Sequence, residues 1–274
     1  MVGAVDGIFV SGVHTNIVVR NGSLLKWPGD GVDASAAANS QLLNVSSSLN
    51  GGAGFRIGVG SVVVACAARG NTLQGFAISS GCRIADCSAS SNGGDGLNVG
   101  TGCTLSGCAL FDNGGLGINA SSACTISGCS AYSNNGYGIS ASFSSSVEGC
   151  SVYANSTNGI VAVTGSRVSG CSVRLNGGHG ITVSGNCMVE NNNFTANTLA
   201  GIYASGNDSR IDGNNTASGQ RGIQVVGTGN FIVRNSVTGA SVMAYDIAAG
   251  NSYGAVLPGA PNFSTTNPWA NFSY

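Results

Sequence analysis

The chain has 274 residues, 42% hydrophobic and only 8% charged, with 45 glycines and a formal net charge of −1. Lys26 is the single lysine, so the basic stripe that nucleic acid or an anionic membrane surface requires is missing, and both are excluded as partners. The apolar content excludes a disordered chain, and no run of roughly 18 apolar residues is present to span a bilayer.

Taken from the start, Met1-Val2-Gly3-Ala4-Val5-Asp6 has no basic region followed by an apolar run and does not read as a signal peptide. A glycine followed by an apolar residue then recurs along the chain. Gly7-Ile8 and Gly31-Val32 come first, at slightly wider steps than the rest. Gly54-Phe55, Gly75-Phe76, Gly96-Leu97, Gly117-Ile118, Gly138-Ile139, Gly159-Ile160, Gly180-Ile181, Gly201-Ile202 and Gly222-Ile223 follow, every step being equal. Asp246-Ile247 is expected to continue the series imperfectly. A fixed period of about 21 residues marks a stacked-repeat architecture.

Other columns keep the same phase. One runs from Asn50 to Asn197 through Asn71, Asn92, Asn113, Asn134, Asn155 and Asn176; another holds Cys66, Cys87, Cys108, Cys129, Cys150 and Cys171. A third reads Cys82, Cys103, Cys124, Ser145, Ser166 and Cys187, and a fourth reads Val63, Ile84, Leu105, Ile126, Val147, Val168 and Val189. Within a repeat, apolar residues alternate, as in Leu97-Asn98-Val99, Cys103-Thr104-Leu105 and Cys108-Ala109-Leu110. Alternation of period two means strands. The pattern predicts an all-β, right-handed parallel β-helix of about 11 coils of about 21 residues, with three short strands per coil, in residues 1–255. Residues 256–274 leave the repeat, and Pro258, Pro261, Pro268, Trp269, Phe272 and Tyr274 are expected to form a C-terminal cap.

Equal coils stacked in register place like on like. The asparagines then form a ladder of side-chain amides that also holds a left-handed or bridge backbone conformation at the turn. The cysteines interchange with Ser145, Ser166 and Asn192 and read as small buried residues, reduced in preference to disulfide-bonded. Their spacing matches no zinc site and the chain has only two histidines, so neither metal nor cofactor is expected.

The segments Asn92-Gly93-Gly94-Asp95-Gly96-Leu97, Cys103-Thr104-Leu105-Ser106-Gly107-Cys108 and Gly213-Asn214-Asn215 resemble the pectate-lyase-like right-handed β-helix superfamily. Within it they are similar to NosD-like and carbohydrate-binding, sugar-hydrolase-type repeats. The ending from Tyr245 to Phe272 resembles the tails of uncharacterised bacterial members. The resemblance spans roughly residues 5–255 and implies the fold and a secreted or periplasmic location. It implies no one activity, because lyases, hydrolases, epimerases, adhesins and non-catalytic proteins share the fold.

A site on a solenoid lies on outward columns of one face. Two such columns flank the asparagine turn. One reads Arg69, Ser90, Phe111, Tyr132, Tyr153, Arg174, Thr195, and the other Gln74, Asp95, Leu116, Tyr137, Asn158, His179, Ala200, Arg221. Asp95, Phe111, Asp112, Tyr132, Tyr137, Tyr153, Arg174 and His179 are therefore the candidate ligand-binding residues. Aromatic rings stack on sugar C–H surfaces and polar groups bond hydroxyls or carboxylates. The alternative is an aromatic ladder that stiffens the rod.

No column is expected to stack two acids from adjacent coils, which speaks against the paired carboxylates of glycoside hydrolysis. An acid cluster for calcium is also missing. If the chain is an enzyme, a lyase using Tyr153, Arg174 and His179 is favoured over a hydrolase. The function expected is polysaccharide binding without a catalytic constellation. The alternatives are a polysaccharide lyase or related enzyme and a structural, self-assembling solenoid. A monomer is expected, able to associate end to end through its N-terminal coil.

Overall fold

The computed structural model describes residues 5–259 and 265–274; Met1–Ala4 and Pro261, named above, lie outside them. It is a parallel β-solenoid of about 12 turns, one more than the repeat count suggested. Among the described residues no helix is present. In a representative coil the three strands are Leu97–Val99, Thr104–Ser106 and Ala109–Phe111, and each pairs in parallel with its equivalents on the coils before and after.

The centre residue of the second and third strands points inward, as do the two outer residues of the first. Ile84, Leu105, Ile126 and Val147 are fully buried, as are Leu97, Ile118 and Ile139. Burying each such side chain contributes about 1.5–3 kcal/mol, and the column continues the length of the rod.

Each coil turns three corners, and at each a residue with positive φ precedes a buried side chain. At the first corner, and along parts of the other two, that side chain accepts the N–H of its equivalent one coil earlier. At the first corner Asn92 Oδ1 accepts from Asn71 N and Nδ2 at 3.0 and 2.9 Å. The left-handed residue is the one before the asparagine, namely Ser91, Asp112, Ser133, Ala154, Leu175 and Ala196 with φ of 53–57°, and not the asparagine itself. At the second corner Cys82 N and Cys124 N donate to Cys103 Sγ (3.4 Å) and Ser145 Oγ (3.1 Å). Cysteine, serine and asparagine interchange there because each supplies a short buried acceptor. All ten cysteines are free and buried. At the third corner the column of Cys66 to Cys171 passes into a second asparagine ladder, Asn192, Asn214, Asn235 and Asn271, with N–H···Oδ1 distances of 2.9–3.0 Å.

Asn271 belongs to the tail, so the ladder carries the last regular coil into it. Asn271–Ser273 pairs with both Val256–Pro258 and Ser236–Ile247, and Tyr245 Oη donates towards Asn235 O and Phe272 O at 2.6 and 3.0 Å. The glycine-apolar series ends at Ala244-Tyr245, not at Asp246-Ile247: Ile223 pairs with Tyr245, because a register shift between Gly219 and Arg221 adds a residue.

Candidate functional site

The predicted aromatic column exists, at the outward end of the third strand. Phe111 stacks on Tyr132 at 5.0 Å and 3°, Tyr132 on Tyr153 at 4.8 Å and 1°, and the Arg174 guanidinium lies 4.7 Å over the Tyr153 ring. The separation is the strand spacing itself. Ring faces that could meet a sugar are therefore turned on each other, which is the geometry of the stiffening ladder. Burial first, then Tyr153 and Asp112, raises the Tyr132 phenol above its ordinary value. It stays protonated and is a poor base. Asp112 is exposed at the left-handed position beside Phe111.

Asp95, Tyr137 and His179 lie beyond the asparagine corner, and two of them already have structural partners. Asp95 Oδ1 accepts Leu116 N–H at 2.8 Å and its Oδ2 accepts from Asn119 Nδ2 at 3.1 Å. Asn158 does the same for His179 N and lies within hydrogen-bond distance of Thr182 Oγ1. His179 Nδ1 accepts Ala200 N–H at 3.2 Å, and its ring stacks on Tyr203 at 4.6 Å. This column is thus a further coil-to-coil ladder. The structure joins Arg174 to Tyr153 and ties His179 to a different aromatic, which the sequence reading did not single out.

Burial, then Arg221, lowers the His179 pKa from 6.5, so the ring is neutral and Nδ1 is an acceptor. Its contribution to stability is present above the ordinary imidazole value and is lost as the pH falls through the depressed one. His179→Asn, which copies Asn158, is expected to melt within about 1 °C of wild type at pH 8 and to fall less steeply below pH 6.5. Parallel melting curves across that range would remove His179 from this role.

A second cluster lies towards the C-terminal end, on the outward face of the second strand. Glu190 and Asp212 are register partners on adjacent coils. This corrects the expectation that no two acids stack. One extra residue between Ala204 and Arg210 lengthens the step there, which hid the pair from a search at constant period. Arg210 and Asp212 share one face of the strand Arg210–Asp212, and Arg210 Nε and Nη2 reach Asp212 Oδ2 at 3.0 and 2.6 Å. Arg234 takes the left-handed corner position, φ 57°, from which it reaches back one coil to the same carboxylate, its Nε 2.7 Å from Oδ1 and its Nη2 on Oδ2. Glu190 pairs with Arg167 at 3.2 Å.

Asp212 is only 5% exposed. Burial alone would raise its carboxyl, but hydrogen bonds from Arg234 and Arg210 outweigh that and hold it below the ordinary carboxylate value. An acid so held cannot donate a proton near neutral pH, so the Glu190–Asp212 pair lacks a general acid at Asp212.

The arginines rest on aromatics. Arg210 lies 5.1 Å over Phe231 and Arg234 lies 5.7 Å over Trp269, whose ring meets Phe231 edge to face at 6.3 Å. Beside them is a cleft of about 370 Å³ lined by Phe231, Val233, Ser252–Ala255, Asn267 and Trp269. Trp269 and Tyr253 are 48% and 55% exposed. Trp269 is held by its own turn, its N–H donating to Asn267 Oδ1 at 2.9 Å. Among the described residues no three His, Cys, Asp or Glu side chains come together as a metal site.

The family of the right handed beta helix region matches residues 3–123 and 80–176. Among solved structures, the A-module of the Azotobacter vinelandii mannuronan C-5 epimerase AlgE6 is 17% identical over 97% of this chain and 79% of its own, with a TM-score of 0.62. The A-module of AlgE4 from the same organism is 16% identical over 89% and 79%, with a TM-score of 0.59. A tailspike protein mutant of E. coli bacteriophage HK620, in complex with a hexasaccharide, is 12% identical over 86% and 56%, with a TM-score of 0.50. At these identities the likeness is one of fold. No curated protein sequence matches the chain.

Proposed function

The chain belongs to the right-handed β-helix family, and from that premise we propose that it binds a polysaccharide without cleaving it, at the cleft between its last coils and its tail. One observation carries the proposal. Trp269 and Tyr253 are exposed aromatics lining a cleft, and two of the lining rings, Phe231 and Trp269, carry the Arg210 and Arg234 guanidiniums on them. Exposed aromatics beside polar groups in a concave surface suit a sugar chain, apolar on its faces and polar at its rim. The stacked column of Phe111, Tyr132 and Tyr153 offers no comparable free faces. Two of the structures similar in fold support a saccharide ligand by their own descriptions, one as an epimerase of mannuronan and one as a complex with a hexasaccharide.

Binding without turnover is the expected chemistry, because Asp212 is locked as a carboxylate and His179 is committed to Ala200. Affinity electrophoresis through gels containing neutral and charged polysaccharides tests this. Retardation in at least one polymer is expected, with a loss of about tenfold or more in affinity for Trp269→Ala and no change for Tyr132→Ala. The polymer should also keep its length. Free migration in every gel, or retardation that depends on Tyr132 and not Trp269, would remove the proposal. Shortening of the polymer would replace it with an enzymatic one.

A further inference from the structure

The charged wall beside the cleft is built more rigidly than a surface ion pair needs to be. Asp212 is buried, its side chain 7% exposed, while the side chains of the arginines it holds are 39% exposed at Arg210 and 52% exposed at Arg234. Each guanidinium has five N–H donors. Arg210 and Arg234 each turn Nε and Nη2 towards Asp212, which leaves the Nη1 side of both without a partner among the hydrogen bonds of the described residues. Each also lies on an aromatic ring, Phe231 or Trp269. A carboxylate on one side and a ring on another fix both forks in place, so little side-chain freedom is left to lose on binding. The local charge is positive. Arg167, Arg210 and Arg234 face Glu190 and Asp212, in a chain whose formal net charge is −1.

Building on the polysaccharide reading above, we infer that Arg210 and Arg234 are specificity-determining residues, and that the sugar chain they select carries an anionic substituent, a carboxylate or a sulfate. The outward N–H donors receive that group while the adjacent sugar packs against Trp269. Planar guanidinium forks match such oxyanions, and charge-assisted bonds are about twice as strong as neutral ones. Asp212 positions the pair and does not touch the ligand. Its one negative charge offsets half of theirs and leaves a net attraction for an anion.

The test is calorimetric titration of the full chain with three oligosaccharides of one backbone, linkage and length: a neutral glucan, its C6-carboxylated form and its sulfated form. At least one charged form is expected to bind about tenfold tighter than the neutral one, and which one separates the two anions. The preference should shrink as salt is raised, since the donors are partly exposed. Arg234→Gln and Arg210→Gln should each remove most of the preference and leave neutral affinity within about twofold. Arg234→Lys should retain part of it through charge alone. Trp269→Ala should weaken all three ligands together. Equal affinity for neutral and charged forms, or a preference untouched by both glutamine variants, overturns the anionic assignment and leaves polysaccharide binding standing. No heat from any of the three overturns both. Each glutamine variant leaves the buried Asp212 with one arginine in place of two, so a lowered melting temperature is expected; titrations run well below the melting temperature of each variant, read from its own melting curve, keep a lost preference distinct from lost folding.

Discussion

Asn134→Ala is expected to destabilise the protein by about 4 kcal/mol, the largest effect of any single substitution considered. Asn134 Oδ1 accepts Asn113 N and Nδ2 at 3.2 and 2.9 Å, and its Nδ2 donates to Leu110 O and Asn155 Oδ1 at 3.1 and 3.0 Å. Asn113, Asn134 and Asn155 are at most 2% exposed, so water cannot replace what alanine removes. A buried donor or acceptor left without a partner costs about 1–3 kcal/mol, and several are orphaned at once. Asn134→Ser should cost roughly half as much, because a serine hydroxyl at a neighbouring corner accepts the same kind of backbone N–H, as Ser145 does from Cys124 at 3.1 Å. Urea denaturation of the three proteins checks both numbers. A loss below about 1 kcal/mol for alanine would mean that the ladder is incidental to the corner.

Gly138→Ala comes second, at about 3 kcal/mol. A methyl on Gly138 would run into Val152 Cγ1 and lie 2.7 Å from Asn155 Nδ2, both in the last strand and corner of the coil it opens, and 2.8 Å from Gly159 O, where the next coil begins. Relief requires the coils to separate, and the register on both sides resists that. The glycine that opens each repeat is thus needed for close approach, not for its backbone angle. Gly149 shows the contrast. Its φ is 61° but nothing lies within 4 Å of the Cβ site, and Ala65, Ala123, Ala154 and Ala196 hold equivalent left-handed positions at 53–58°. Gly149→Ala should therefore cost only about 1 kcal/mol. Thermal melting of the pair separates crowding from strain, and equal losses would contradict the crowding at Gly138.

The constant period made the coils, their three strands and the asparagine ladder legible before any coordinates, because register stacking turns each sequence column into a physical column. Insertions broke that legibility. The extra residue after Ala204 shifted Asp212 out of phase with Glu190, and the one extra residue opposite Gly219–Arg221 moved the last repeat from Met243, where the constant step would put it, to Ala244. The aromatic column was visible, but its role was not. Aromatics spaced by one coil are what both a ligand wall and a stiffening ladder would show, and the structure adds that the ring planes lie within 1–3° of parallel with their faces on each other. Asp95 and His179 were visible as residues that broke a bland column, yet the N–H groups they accept belong to the next coil and leave no mark in local sequence. Trp269 lies outside the repeat altogether, so no column could place it beside Phe231 and Arg234.

Where a bound oligosaccharide rests is the most direct measure of the central claim, and amide hydrogen exchange with and without a saturating oligosaccharide reads it. Slowed exchange is expected at residues 231–234, 252–255 and 267–270, with residues 111–174 unchanged. Slowing confined to the coils that carry Phe111, Tyr132 and Tyr153 would contradict the assignment of the cleft and return the site to the stacked column.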